Sequence, residues 1–124
     1  MAEPDRFGNR YRLILIIYLA LIILGSSIPG RSFPQSKIFS YDKLLHLMEY
    51  AVAGLFASRC LIKINLKSVL LLLIGGLAFA AFDEFWQSFI PGRNPDILDL
   101  IADNFGIWIG LGIGIPLRRI QGND

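Results

Sequence analysis

At 124 residues, 54% of them hydrophobic and only 18% charged, with a mean hydropathy of +0.54, the chain has too little polar surface for a soluble domain of its size. The net charge of +2 comes from Lys and Arg at the ends of apolar stretches, where they anchor helices at a membrane interface; this excludes the basic patch of a nucleic-acid binder. The one cysteine, Cys60, excludes an internal disulfide and any cysteine-based metal spacing.

Four apolar segments follow in chain order. The first spans about 12–28 and is stopped by Pro29-Gly30. The second spans about 42–62, with Asp42 placed to cap its free N–H groups. The third spans about 66–90 and ends at Pro91-Gly92, and the fourth spans about 96–117. Each is close to the ~20 residues that cross ~30 Å of hydrocarbon as a helix. A short chain in lipid satisfies its own backbone hydrogen bonds only by being helical. The expected fold class is therefore all-α, an integral membrane bundle of four transmembrane helices, with residues 1–124 as a single domain. Gly106/Gly110 and Gly110/Gly114 have the small-xxx-small spacing that lets helices approach closely. No strand precedes these glycines, so they do not form a phosphate loop. Glycine faces of this kind would also allow two copies to pair as a homo-oligomer.

Charge sets the expected orientation. Arg6, Arg10, Arg12, Arg59, Lys63, Lys67, Arg118 and Arg119 would share one side, against Arg31, Lys37, Lys43 and Arg93 on the other. The positive-inside rule puts both termini in the cytoplasm of a bacterial inner-membrane protein. The loops at 29–41 and 91–95 then face outward. Arg6 to Arg12, the apolar stretch and Gly25-Ser26-Ser27 also have the layout of a cleaved signal peptide, but cleavage would leave three helices and break the charge pattern.

The costly residues gather at the outward ends. The second segment opens with Asp42, Lys43, His46, Glu49 and Tyr50; the third closes with Asp83, Glu84 and Gln87; Arg93 stands in the turn; the fourth opens with Asp96, Asp99 and Asp103 at i, i+3, i+7. Ionisable groups inside a span are usually paired, hydrated or functional. Because the third segment arrives where the fourth leaves, Asp83 and Asp103 should lie at one depth and Gln87 and Asp99 in a shallower layer. The bland explanation is a polar network that pins the bundle, with Asp96 and Asp99 capping the fourth helix. Trp86, Phe85, Phe89 and Trp108 fit an aromatic belt.

The pattern Asp42-Lys43-x-x-His46-x-x-x-Tyr50, then Asp83-Glu84-x-x-Gln87-x-Phe89-x-Pro91-Gly92-Arg93-x-x-Asp96-x-x-Asp99-x-x-x-Asp103-x-x-Gly106, resembles the VanZ-like family of small bacterial polytopic membrane proteins. The Ser26-Ser27-x-Pro29 exit of the first segment is similar too. The resemblance implies a four-helix membrane domain retained whole, and a link with tolerance of the glycopeptide teicoplanin. Two positions depart from it. Trp86 stands where many relatives carry a second histidine, which speaks against a two-histidine metal site. Asp103 stands where many carry asparagine.

Three functions compete on these residues. The first is a non-catalytic envelope protein whose outward pocket binds a lipid head group or a lipid-linked cell-wall precursor, with Lys43, Arg93 and Arg31 meeting phosphate. The second is a membrane-embedded hydrolase or transferase acting on a lipid-linked substrate through His46, Asp83, Glu84 and Asp99. The third is an ion path with the acids as relays, although the cytoplasmic halves of the segments are apolar. No nucleophile elbow or HExxH motif is present. The expected partners are membrane lipids and not nucleic acid. No cofactor is expected; were a divalent cation held, oxygen-rich ligands would suit magnesium or calcium better than zinc.

Overall fold

In a computed structural model the chain forms four helices, α1 Arg6–Ser26, α2 Ile38–Cys60, α3 Leu66–Gln87 and α4 Ile97–Gly122. The structure describes residues 6–29 and 38–122; the side chains of residues 6, 7, 38–42, 121 and 122 fall outside the description, as do Arg31 and Lys37. No strand occurs among the described residues. Three helical stretches, Gly8–Ser26, Leu66–Gln87 and Ile97–Ile120, are long and apolar enough to cross a membrane. The remaining helix, α2, is long enough at 23 residues but carries Lys43, His46, Glu49 and Arg59. It keeps its polar side against its neighbours instead of facing lipid.

Burial is inverted relative to a soluble protein. Leu13, Ile16, Leu24, Leu71, Ile74, Ile97 and Ile113 point outward, whereas His46, Asp83, Glu84, Gln87, Asp99 and Asp103 are buried. Water would reverse that arrangement; hydrocarbon favours it.

Helix boundaries move from the expected ones where a local signal was hidden. α1 begins at Arg6 rather than near 12, and α2 begins at Ile38 rather than at Asp42. Asp42 thus lies inside α2, not at its N-cap, because the apolar Ile38-Phe39 turn is itself helical. α3 starts where Asn65 Oδ1 accepts from Ser68 N, and it ends at Gln87, three residues short of the expected 90. A β-turn follows, closed by Arg93 N donating to Ile90 O at 3.1 Å. Its third residue, Gly92, has φ 76°, the left-handed value a type II turn demands and glycine supplies without strain. Asp96 then caps α4, its Oδ1 accepting from Leu98 N at 2.9 Å. α4 continues past Pro116 to Gly122, beyond the expected 117.

The tightest packing is between α2 and α4, which run in the same direction. Along this seam Lys43 meets Asp99 and His46 meets Asp103. Further along, backbone meets backbone. A Cβ on Gly110 would collide with Ala51 O and lie 2.9 Å from Gly54 Cα, and one on Gly54 would lie 2.6 Å from Ile107 O. The glycine stripe of α4 therefore faces α2 of the same chain. α1 packs on α2, with Tyr18 set edge-on against Phe56 at 5.5 Å, and α3 packs on α4. Arg118 Nη1 donates to Ser58 O at 2.9 Å near the carboxyl end of α2, where a cation opposes the helix dipole.

Candidate functional site: a buried carboxylate–imidazole cluster

The end of the bundle that carries Ser26, Lys43, Gln87 and Asp99 gathers the polar residues in steps. In the outermost step, Lys43 Nζ donates to Asp96 Oδ2 at 2.9 Å and to Asp99 Oδ1 at 2.7 Å. One turn deeper, His46 Nδ1 lies 2.7 Å from Asp103 Oδ1, while Nε2 faces Asp99 Oδ2 at 3.9 Å. One turn deeper again, Tyr50 Oη donates to Asp83 Oδ2 at 2.9 Å. Lys43, His46 and Tyr50 repeat i, i+3, i+7 on α2, and Asp96, Asp99 and Asp103 repeat it on the segment leading through α4. The matched stripes put like turns opposite one another. α3 closes the third side with Asp83 and with Glu84, whose Oε2 accepts from Asp96 N at 3.1 Å.

Asp83 and Asp103 are fully buried, at 0% exposure each. Burial at that level requires partners, yet Asp83 Oδ1, Glu84 Oε1 and Asp103 Oδ2 accept no hydrogen bond. Single ligand atoms from His46, Glu84 and Asp99 lie within 4.8 Å of one another, and so do those from His46, Asp83 and Asp103. These five residues form one volume. At its outer rim Asp96 is held below the ordinary carboxylate range by the Lys43 ammonium and the Leu98 N–H. The lowered value means that the stabilisation from this pair is complete above the ordinary Asp pKa of ~3.9. It is lost as the pH falls through the lowered folded value.

The other expected site residues sit around this core. Gln87 is buried and turns to α1, its Nε2 donating to Ser26 Oγ at 3.3 Å. Arg93 also reaches α1, its Nε donating to Ile28 O at 3.0 Å and its Nη2 to Gly25 O at 3.2 Å. There a cation meets the carbonyl end of a helix. Glu49 is half-buried, and its backbone carbonyl accepts from Tyr18 Oη at 2.8 Å. The Asp42 side chain lies outside the described residues. Reading the sequence missed the contacts of Ser26 and Ser27; Ser27 Oγ accepts from Trp86 Nε1 at 2.8 Å. The signal was their place in the Ser26-Ser27-x-Pro29 exit, with two hydroxyls at the end of a span that needs none.

Beneath the cluster lies an apolar cleft of about 150 Å³ between α1 and α3, with α2 and α4 behind it. Leu19, Ala53, Gly76, Phe79 and Ile107 line it, and Tyr50 also borders it. The same Tyr50 that borders the cleft thus bonds Asp83 through its hydroxyl. A wider hollow of about 400 Å³, bordered by Arg12, Cys60 and Lys63, shares Leu71 and Leu72 with the cleft.

The family model described as VanZ/LLP1 matches residues 9–118. The chain belongs to this family. The match runs from within α1 to within α4 and takes in α2 and α3 whole, so the polar cluster, the type II turn and the glycine seam all fall within the VanZ/LLP1 region. No curated protein and no solved structure matches the chain at a significant level.

Proposed function

We propose that this VanZ/LLP1 membrane protein binds an amphiphile, with its apolar tail in the cleft between α1 and α3 and its polar head at the carboxylate–imidazole cluster. The observation that carries this reading is Tyr50, which borders the apolar cleft and hydrogen-bonds Asp83 of the buried cluster. A single ligand spanning both would need a greasy end and a hydrogen-bonding end. The acceptors Asp83 Oδ1, Glu84 Oε1 and Asp103 Oδ2 suit hydroxyl or amine donors of a lipid head group or a lipid-linked envelope precursor. Lys43 and Arg93 hold carboxylate and carbonyl partners, which favours donor groups on the ligand over a bare phosphate. With the termini in the cytoplasm of a bacterial inner membrane, the cluster lies beneath the outer leaflet, where such precursors are displayed. Tolerance of teicoplanin would then follow from holding a precursor that the drug competes for.

The experiment fills the cleft. Gly75 lines it, and a Cβ at Gly75 meets nothing within 4 Å, so Gly75→Leu adds bulk to the cleft without a backbone clash. Native mass spectrometry of protein released from membranes is expected to find a bound amphiphile on the wild type and at least tenfold less on Gly75→Leu. Equal occupancy of both, or a bare wild type, would overturn the reading.

A second reading rests on His46. The contact of its Nδ1 with Asp103 at 2.7 Å is the pairing that orients an imidazole to take a proton at its other nitrogen. In that case the same amphiphile is a substrate, and purified protein incubated with it would release a product.

A further inference from the structure

We propose that the bundle holds one divalent first-row cation, of the manganese or zinc class, between His46, Glu84 and Asp99. The proposal rests on the geometry of the cluster; it takes up Glu84 Oε1, one of the acceptors that the amphiphile reading offers to a head group, so at that atom the head group would meet the cation instead.

A group of acids alone would not argue for an ion. The second observation is that three carboxylate oxygens, Asp83 Oδ1, Glu84 Oε1 and Asp103 Oδ2, are sealed from solvent and accept nothing, on residues exposed by only 0%, 8% and 0%. Leaving such atoms bare inside a protein is unfavourable, because desolvation is not repaid by a partner. Four carboxyl groups, on Asp83, Glu84, Asp99 and Asp103, share this volume, and Lys43 divides itself between Asp99 and Asp96. A divalent cation between His46, Glu84 and Asp99 would offset the charge of its carboxylate ligands and give Glu84 Oε1 a partner in one step.

The ligands are already braced. Glu84 Oε2 is fixed by Asp96 N at 3.1 Å, which leaves Oε1 for a metal. Asp99 Oδ1 is fixed by Lys43 Nζ at 2.7 Å, while Oδ2 faces His46 Nε2 at 3.9 Å. That separation is too long for a hydrogen bond. It lies in the range of roughly 3 to 4 Å between ligand atoms that share a metal at ~2.1 Å. On the far side of the ring, Nδ1 meets Asp103 Oδ1 at 2.7 Å. A metal-bound histidine typically donates its other ring N–H to a carboxylate in this way, fixing the tautomer. The imidazole is what moves the preferred ion from magnesium or calcium toward manganese or zinc. With three protein ligands, the remaining positions would be left to water or to a bound oxygen donor.

The test uses metal alone. Purified protein in detergent, stripped with EDTA and reloaded with Mn²⁺, is expected to bind one equivalent and to gain several degrees in Tm. Pulsed EPR of the loaded protein is expected to show one directly bound imidazole nitrogen, which His46, the single histidine, assigns without ambiguity. Glu84→Gln is expected to weaken Mn²⁺ binding at least tenfold. No saturable binding to the wild type, bound Mn²⁺ without nitrogen coupling, or a folded Glu84→Gln protein that binds like the wild type would each overturn the proposal. Should Glu84→Gln fail to fold, the nitrogen coupling of the wild type decides. None of these outcomes alters what Gly75→Leu reports about the amphiphile.

Discussion

Gly110→Val is expected to separate α2 from α4 and to cost more than about 3 kcal/mol, above the ordinary range for overpacking. The reason is that the obstacle is backbone. A Cβ at Gly110 would overlap Ala51 O and approach Leu55 N at 2.8 Å, and neither can rotate away as a side chain would. Lipid provides no hydrophobic drive to hold two helices together once contact is lost, so association depends on the close approach itself. The same seam carries Lys43–Asp99 and His46–Asp103, so pushing the helices apart lengthens both contacts. Gly112→Val is the matched control, because a Cβ there meets nothing within 4 Å. Denaturant titration in detergent should show Gly110→Val unfolded or strongly destabilised and Gly112→Val close to the wild type. Equal stability of the two would mean that α2 and α4 do not cross at these glycines.

Tyr50→Phe is expected to cost about 3 kcal/mol, an amount typical of breaking a buried polar pair on one side. Neutral interhelical hydrogen bonds in membranes average only ~0.6 kcal/mol, so the excess isolates what Asp83 contributes. Removing the Tyr50 hydroxyl takes away the donor 2.9 Å from Asp83 Oδ2, on a residue whose Oδ1 accepts no bond. The loss therefore belongs to Asp83, and Tyr50→Phe/Asp83→Leu should recover most of it, since replacing both partners by apolar groups is often close to neutral. Denaturant titration of the four proteins in a double-mutant cycle reads the coupling directly. A Tyr50→Phe protein within about 0.5 kcal/mol of the wild type would mean that the pair does not hold the site together.

Much of this arrangement was legible in the residues. Hydropathy located four helices, and the spacing of Asp96, Asp99 and Asp103 put three carboxylates on one stripe. Antiparallel succession of α3 and α4 correctly brought Asp83 level with Asp103. What stayed hidden was choice of partner. Gln87 and Arg93 carry no local mark that sends them to Ser26, Gly25 and Ile28 of α1 rather than into the cluster; that depends on where α1 docks, more than 60 positions away in the chain. The start of α2 was hidden because Asp42 is a good capping residue in a place where the helix needs no cap. The glycine stripe announced a close crossing but not which helix it meets, since small residues serve a neighbour in the same chain and a second copy equally well.

The clearest test of the buried three-helix cluster is the nitrogen NMR spectrum of the protein labelled with ¹⁵N-histidine in detergent micelles. With one histidine in the chain, every ring signal belongs to His46. A ring sealed against Asp103 from α4, with Glu84 of α3 beside it, predicts a hydrogen-bonded Nδ1–H that exchanges slowly with water and shifts in both Asp103→Asn and Glu84→Gln. A ring that exchanges rapidly with water and ignores both substitutions would contradict the convergence of the three helices on one site.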